Sequence, residues 1–194
     1  YLSYYGENDE VAHVYGAPAH LTSEQNMELH LSVPEYAHPI FEVGIELLSK
    51  GVLHLDCLRW IGTPNVNFSR PAGKGTMWRR AWVAAVDSYS SRPEPYRLVQ
   101  NQGTGLLIQG SREWTSYHLE ADITPHLARR VGLAGRVQGL RRYYSLVLNE
   151  IGELQLNKML NEETCLKSVP YDWSLGGTLV LSLTFDGDKL TGCV

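Results

Sequence analysis

The second half of the chain alternates apolar and polar positions with a period of two, as half-buried strands do. From Glu113 to Leu160, four runs of β-type residues follow one another, each bounded by glycine, proline or charged turn residues. The pattern predicts strands at Thr115–Ile123, Val131–Gln138, Arg142–Asn149 and Glu153–Met159. Further strands are expected at Tyr96–Gln100, Gly105–Gln109, Thr164–Ser168 and Thr178–Phe185. Turn residues recur about every 8–12 positions, the spacing of a β-sandwich. No strand–helix–strand alternation is present, which argues against a parallel-sheet enzyme fold. The expected class is all-β, an antiparallel jelly-roll sandwich.

The first half carries a weaker version of the same signal. A short strand is expected at Val11–Tyr15. Met27–Val33 (MELHLSV) puts Met27, Leu29, Leu31 and Val33 on one face. Ile40–Leu48 and Val52–Trp60 read as a hairpin turning at Ser49-Lys50-Gly51. Residues 61–77 are rich in Gly, Pro, Asn and Ser and read as a boundary. The expected division is a partial β-sandwich over 1–63, a linker over 64–77 and the main sandwich over 78–194. In Trp78–Val86 a helical period competes, with Trp78, Ala81, Trp82 and Ala85 at i, i+3, i+4 and i+7, so a short helix is expected there.

Composition narrows the function classes. The chain has 194 residues, 43% hydrophobic and 20% charged, which suits a globular protein. A net charge of -4 offers no basic face for nucleic acid or an anionic membrane. No apolar run approaches the length of a membrane span, and no signal-peptide pattern is seen. The expected location is the cytoplasm. The three cysteines, Cys57, Cys165 and Cys193, form no CxxC pair. Cys57 lies in an apolar strand pattern and is expected to be buried. Tyr1 opens in a strand-like run, and the chain stops inside a hairpin-like DGDKLTGCV. Both features read as a fragment of something longer.

Candidate chemistry is sparse. Glu120 and Asp122 in LEADI are two apart, so on a strand they share a face, as the carboxylate pair of a retaining glycosidase would. The third acid of an ExDxxE spacing is missing, because Pro125 stands in its place. The histidines are scattered, with no HExxH or HxH pair to support a metal site. No GxSxG is present. GTGLLIQG lacks the following helix that a phosphate loop needs. Trp114, Tyr117, Tyr143, Tyr144 and Trp173 are the aromatic candidates for stacking on a sugar. Of the adjacent pair Tyr143 and Tyr144, one must face in and one out.

The run GLAGRVQGLRRYYSLVLNEIGELQLNKML, preceded by EWTSYHLEADITPH, resembles concanavalin A-like (laminin G-like) sandwiches. The longer stretch GTMWRRAWVAAVD through RRYYSL resembles the accessory region behind the catalytic domain of bacterial ADP-ribosylglycohydrolase-family proteins. MELHLSVPEYAHPIFEVGIELLSKGVLHLDCLRWIGTPNV resembles the closing strands of a galactose-binding-like jelly roll. That family's two-magnesium Asp/Thr signatures have no counterpart here. The resemblance therefore implies a non-catalytic accessory module that binds carbohydrate or an ADP-ribose-type ligand, with no cofactor of its own.

The expected ligand face carries Arg136, Gln138, Arg142 and Tyr144, with Trp114 and Glu120 nearby. Guanidinium groups would bind hydroxyls or a phosphate there, and the aromatics would stack. Two other readings stay open: a glycoside hydrolase using Glu120 and Asp122, and a purely structural or oligomerisation module. Unpaired strand edges would favour a homo-oligomer.

Overall fold

The computed structural model describes residues 1–22, 26–33, 39–62, 65–69, 72–91 and 96–194. Linker residues 64, 70 and 71 lie outside these. The chain divides into two compact units. One comprises Tyr1–Arg59 with Asn65–Gln109, and the other Trp60–Pro64 with Gly110–Val194.

The unit holding residues 110–194 is an antiparallel sandwich. Its strands are β8 (Tyr117–Ile123), β9 (Arg130–Gly139), β10 (Arg142–Asn149), β11 (Glu153–Leu160), β12 (Glu162–Pro170), β13 (Leu179–Asp186) and β14 (Lys189–Cys193). The four-stranded sheet runs β12-β11-β10-β9, and the three-stranded sheet runs β14-β13-β8. The alternation in the sequence sets which residues meet between the sheets. Leu133, Leu146, Leu148 and Leu154 of the first sheet cluster with Leu181, Leu183 and Phe185 of the second. Leu148, Leu181 and Leu183 are fully buried, each contributing on the order of 1.5–3 kcal/mol of apolar burial.

Two glycines make this interlocking possible. A Cβ on Gly135 would stand 2.3 Å from the Phe185 ring, and one on Gly192 would stand 2.4 Å from Leu146 Cδ1. Larger residues would push the two sheets apart. The β10–β11 hairpin is fixed by Asn149, whose Oδ1 accepts from the backbone N–H of Ile151 at 3.2 Å and Glu153 at 3.0 Å. Gly152 supplies the left-handed residue of that turn, with φ of 80°.

The other unit is built from short pieces. β1 (Leu2–Tyr5), β2 (Val11–Val14) and β3 (Ile40–Val43) form a sheet in the order β2-β1-β3. β4 (Val83–Ala85) pairs with β7 (Leu106–Ile108), and β5 (Ser88–Ser90) pairs with β6 (Arg97–Val99). Asp9 ties its turn to residues 76 and 77 by accepting from the Thr76 and Met77 amides, each at 2.8 Å.

Several first-half expectations are corrected here. Met27–Val33 and Val52–Trp60 form no strand, and Ile40–Leu48 keeps only its first four residues as one. Their alternation meets no partner sheet, so Leu47 (51% exposed) and Leu55 (63% exposed) stay in solvent, as do Leu48 and Val52 on the other face. Cys57 is exposed for the same reason, whereas Cys165 and Cys193 are exposed on the edge strands β12 and β14. The expected helix at Trp78–Val86 is a 3₁₀ turn, Met77–Ala81, followed by β4. Its period reflects aromatic packing instead. Trp78 meets Tyr89 and Tyr96 edge-on at 5.9 Å, and Trp82 lies 5.1 Å from Phe68.

Candidate functional site

Alternation along β10 separates the two adjacent tyrosines. Tyr144, Leu146 and Leu148 point between the sheets, and Tyr144 meets the Phe185 ring at 6.4 Å. Tyr143, Ser145, Val147 and Asn149 therefore occupy the outer face of the four-stranded sheet. Register extends that face. Ser145 lies opposite Asn157, Asn149 opposite Glu153, and Tyr143 opposite Met159. On β12, Cys165 stands opposite Asn157, and Glu163 opposite Met159. On β9, Arg130 stands opposite Asn149.

This outer face is cupped. Arg130 on one edge strand and Glu163 on the other form a two-pronged ion pair, with Nη1 to Oε2 at 3.1 Å and Nη2 to Oε1 at 2.5 Å. Three strand spacings, about 14 Å, separate β9 from β12 on a flat sheet. The two residues are also offset along the strands by the whole length from Asn149 to Tyr143. Only a sheet curling toward its outer face brings these side chains together. Gly132 lies on the same face, where a Cβ would stand 1.9 Å from the Leu146 carbonyl oxygen.

The ion pair passes over the floor of the cup, whose residues are nearly buried. Asn157 is 1% exposed, Tyr143 6% and Ser145 7%. Asn157 Nδ2 donates to Glu163 Oε1 at 2.7 Å, tying floor to rim. Its Oδ1 is buried with no hydrogen-bond partner. An acceptor left in that state costs about 1–3 kcal/mol. The Ser145 hydroxyl and Tyr143 phenol lie on the same floor and, unlike Asn157 Oδ1, are not cut off from water. Burial, and then the nearby Glu163 carboxylate, push the Tyr143 phenol above its ordinary value, while Arg130 pulls it back. Tyr143 is thus a neutral hydroxyl at physiological pH, able to donate.

Charge on the rim is fixed. The hydrogen-bonded Glu163 carboxylate raises the Arg130 guanidinium above its ordinary value. Glu153 is held below the usual carboxylate range by Asn149, Ser168 and Gln155, in that order. Chemically the arrangement offers hydroxyls, amides, one guanidinium and two carboxylates on one curved surface. It contains no nucleophile paired with a base. Among the described residues no cluster of three His, Cys, Asp or Glu could hold a metal.

The six residues expected to form a ligand face are not gathered together. Tyr144 is committed to the core side. Arg136, at φ of 49°, is spent on its own sandwich. Its Nε donates to Thr115 O at 2.8 Å, its Nη2 to Gly187 O at 2.6 Å, and its guanidinium sits 5.0 Å over Phe185. Trp114 packs on Gly110 ahead of β8. Gln138 and Arg142 are exposed at the β9–β10 hairpin. Glu120 lies on the outer face of the other sheet, 3.6 Å from His118. Asp122 shares that exposed face, as its spacing required.

The other unit holds one constellation that resembles a nucleophilic triad. Ser3 Oγ lies 2.9 Å from His13 Nδ1 and donates to Glu42 Oε2 at 2.8 Å. The serine proton goes to the carboxylate, so His13 cannot act as its base. The group works as a cross-strand tie between β1, β2 and β3.

The chain matches no family model, and no curated protein matches it. Among solved structures it is similar in fold to the carbohydrate binding module CBM66 from Bacillus subtilis. The TM-score is 0.53 at 13% identity, covering 58% of this chain and 73% of that one. Fold and comparison together define an all-β sandwich of the kind found in that module. No helix among the described residues is long and apolar enough to cross a membrane.

Proposed function

We propose that residues 110–194 form a carbohydrate-binding module that takes a sugar on the cupped outer face of β12-β11-β10-β9. One observation carries this reading. Tyr143, Ser145 and Asn157 sit nearly buried together on one curved face, and Asn157 Oδ1 among them is buried with no hydrogen-bond partner. A sheet that needed them only for stability would have paired them or replaced them with apolar groups. A sugar hydroxyl both donates and accepts, so adjacent hydroxyls of one ring satisfy this mixture. Similarity in fold to a carbohydrate binding module supports the same reading.

Gln138, exposed beside the hairpin, would extend the contact to a second sugar unit. The resemblance to accessory regions of ADP-ribosylglycohydrolase-family proteins supports a finer proposal. In it, this module serves such an enzyme by holding substrate or carrier near a catalytic domain. The edge strand β12 carries Glu162, Glu163 and Lys167 and ends on Pro170, features that discourage strand addition. Sugar binding is therefore favoured over oligomerisation through that edge.

Isothermal titration against a panel of glycans and ADP-ribose tests the reading. The expected result is binding to at least one glycan that Tyr143→Ala weakens by tenfold or more, while Glu120→Gln leaves it unchanged. Binding that survives Tyr143→Ala and is lost in Glu120→Gln would move the site to the other sheet and overturn the proposal.

A further inference from the structure

The deepest polar atom on the floor of the cup, Asn157 Oδ1, is shut off from water in this structure. Arg130 and Glu163 reach from opposite edge strands and meet above β10 and β11. Their side chains keep 43% and 31% of their exposure, so the pair sits at the boundary with solvent rather than deep inside. Glu163 also grips Asn157 Nδ2, which leaves Asn157 Oδ1 buried and unmatched. The closed arrangement thus keeps an unmet acceptor directly beneath a bond that water can reach.

We infer that the Arg130–Glu163 pair is a clasp that must open to admit one neutral sugar residue, whose hydroxyl then donates to Asn157 Oδ1. This rests on the carbohydrate-binding reading and adds a gate and a ligand class to it. Neutrality follows from the surrounding charge. Glu163 and Glu153 share the face, and Arg130 offers the only cation on the rows of outer-face residues between β9 and β12. A uronate, sulfate or phosphate would meet two carboxylates for one guanidinium. A neutral ring meets no such penalty. Its hydroxyls can donate to the opened Glu163 and accept from Arg130, so both rim groups remain partnered after opening. The apolar core behind the floor, with Leu146 and Leu156 on the opposite face of the same strands, stays unchanged throughout.

The clasp gives a signature that a static sugar site lacks. A neutral ligand has no salt dependence of its own, whereas a guanidinium–carboxylate pair at the solvent boundary weakens as salt screens it. The experiment measures affinity and association rate of the whole chain for a neutral glycan panel and a uronate-containing panel, at low salt and at 1 M NaCl. For the unmodified chain, affinity for the neutral glycan is expected to rise about threefold or more between the two salts. Glu163→Gln, which keeps the shape and removes the charge, is expected to bind faster and to lose the salt dependence. Asn157→Leu is expected to lose at least tenfold in affinity in both salts while its melting temperature does not fall.

The outcomes separate the two claims. A glycan bound with Tyr143-dependent affinity that is indifferent to salt and to Glu163→Gln overturns the clasp and leaves the binding site standing. Preference for the uronate panel overturns the neutral ligand class. No binding to any glycan by the unmodified chain, Glu163→Gln or Arg130→Gln overturns the carbohydrate reading itself, and the clasp with it.

Discussion

The two halves of this chain carry the same alternating pattern and reach different ends. In residues 110–194, Leu148 and Leu183 are fully buried because each apolar face meets another sheet. In the other unit, Leu47 and Leu55 belong to faces that alternate just as cleanly and remain 51% and 63% exposed. Period-two patterning states only that a strand could bury one face. A partner surface decides whether it does. The backbone follows the same rule, since an extended segment with no neighbour makes no ladder and gains nothing that offsets its ordering.

The sharpest way to break this comparison is to delete the same kind of group from each half. Leu183→Ala is expected to cost about 2–5 kcal/mol of unfolding free energy, because it opens a cavity between the sheets. Leu48→Ala is expected to stay within about 0.5 kcal/mol of the parent. Chemical denaturation measures both, and equal effects would mean that Leu48 is buried in solution. A smaller effect comes from adding volume where the sheets touch. Gly135→Ala drives a methyl into the Phe185 ring and is expected to cost about 1–3 kcal/mol. The test is whether its loss exceeds that of Gly51→Ala, where a methyl meets open space.

The smallest effect is expected from pH, and it reaches both units. Asp9 is held below the usual carboxylate range by the Met77 amide and then that of Thr76, and Glu153 by its side-chain partners. Each folded pKa lies below the unfolded one. Each carboxylate therefore contributes stability that is complete above the ordinary values, 3.8 for Asp9 and 4.5 for Glu153. That contribution disappears as pH falls through the lowered values. Thermal melting should be flat from pH 7 to pH 5 on this account and should fall below about pH 4. Asp9→Asn should flatten only part of that fall. A melt that stayed level to pH 2 would contradict both assignments.

Much of the sandwich was legible from residue order alone. Arg142–Asn149 is a strand at the predicted bounds, and Glu153–Met159 differs by one residue. Both are runs of β-type residues joined by a glycine-bearing turn. In the first half Val11–Tyr15 is found at Val11–Val14, but the alternation of Met27–Val33 and Val52–Trp60 misleads, because no local residue reports whether a distant surface will cover a strand. The site was half legible. Tyr144 shares parity with Leu146 and Leu148, so the apolar run already places it inward and leaves Tyr143 outward. The same parity argument exposes Ser145 and Asn157, with Leu154 and Leu156 as their inward neighbours. What residue order does not carry is the curl of the sheet. Arg130 and Glu163 are 33 positions apart, at opposite edges, and only the curl of the sheet brings them into contact. Arg136 misled for a related reason. A guanidinium beside aromatics reads as a ligand contact, yet its donors reach backbone carbonyls at Thr115 and Gly187.

The central claim is that a sugar enters the cup and meets the Tyr143, Ser145 and Asn157 floor. The most direct measurement is an amide chemical-shift titration of the whole chain with the tightest-binding neutral glycan from the panel. The account predicts that the largest shifts fall on Tyr143, Ser145, Asn157 and their register partners on β9 and β12. The His118–Glu120–Asp122 face should stay still. Shifts concentrated on that opposite face, with the cup unmoved, would contradict it.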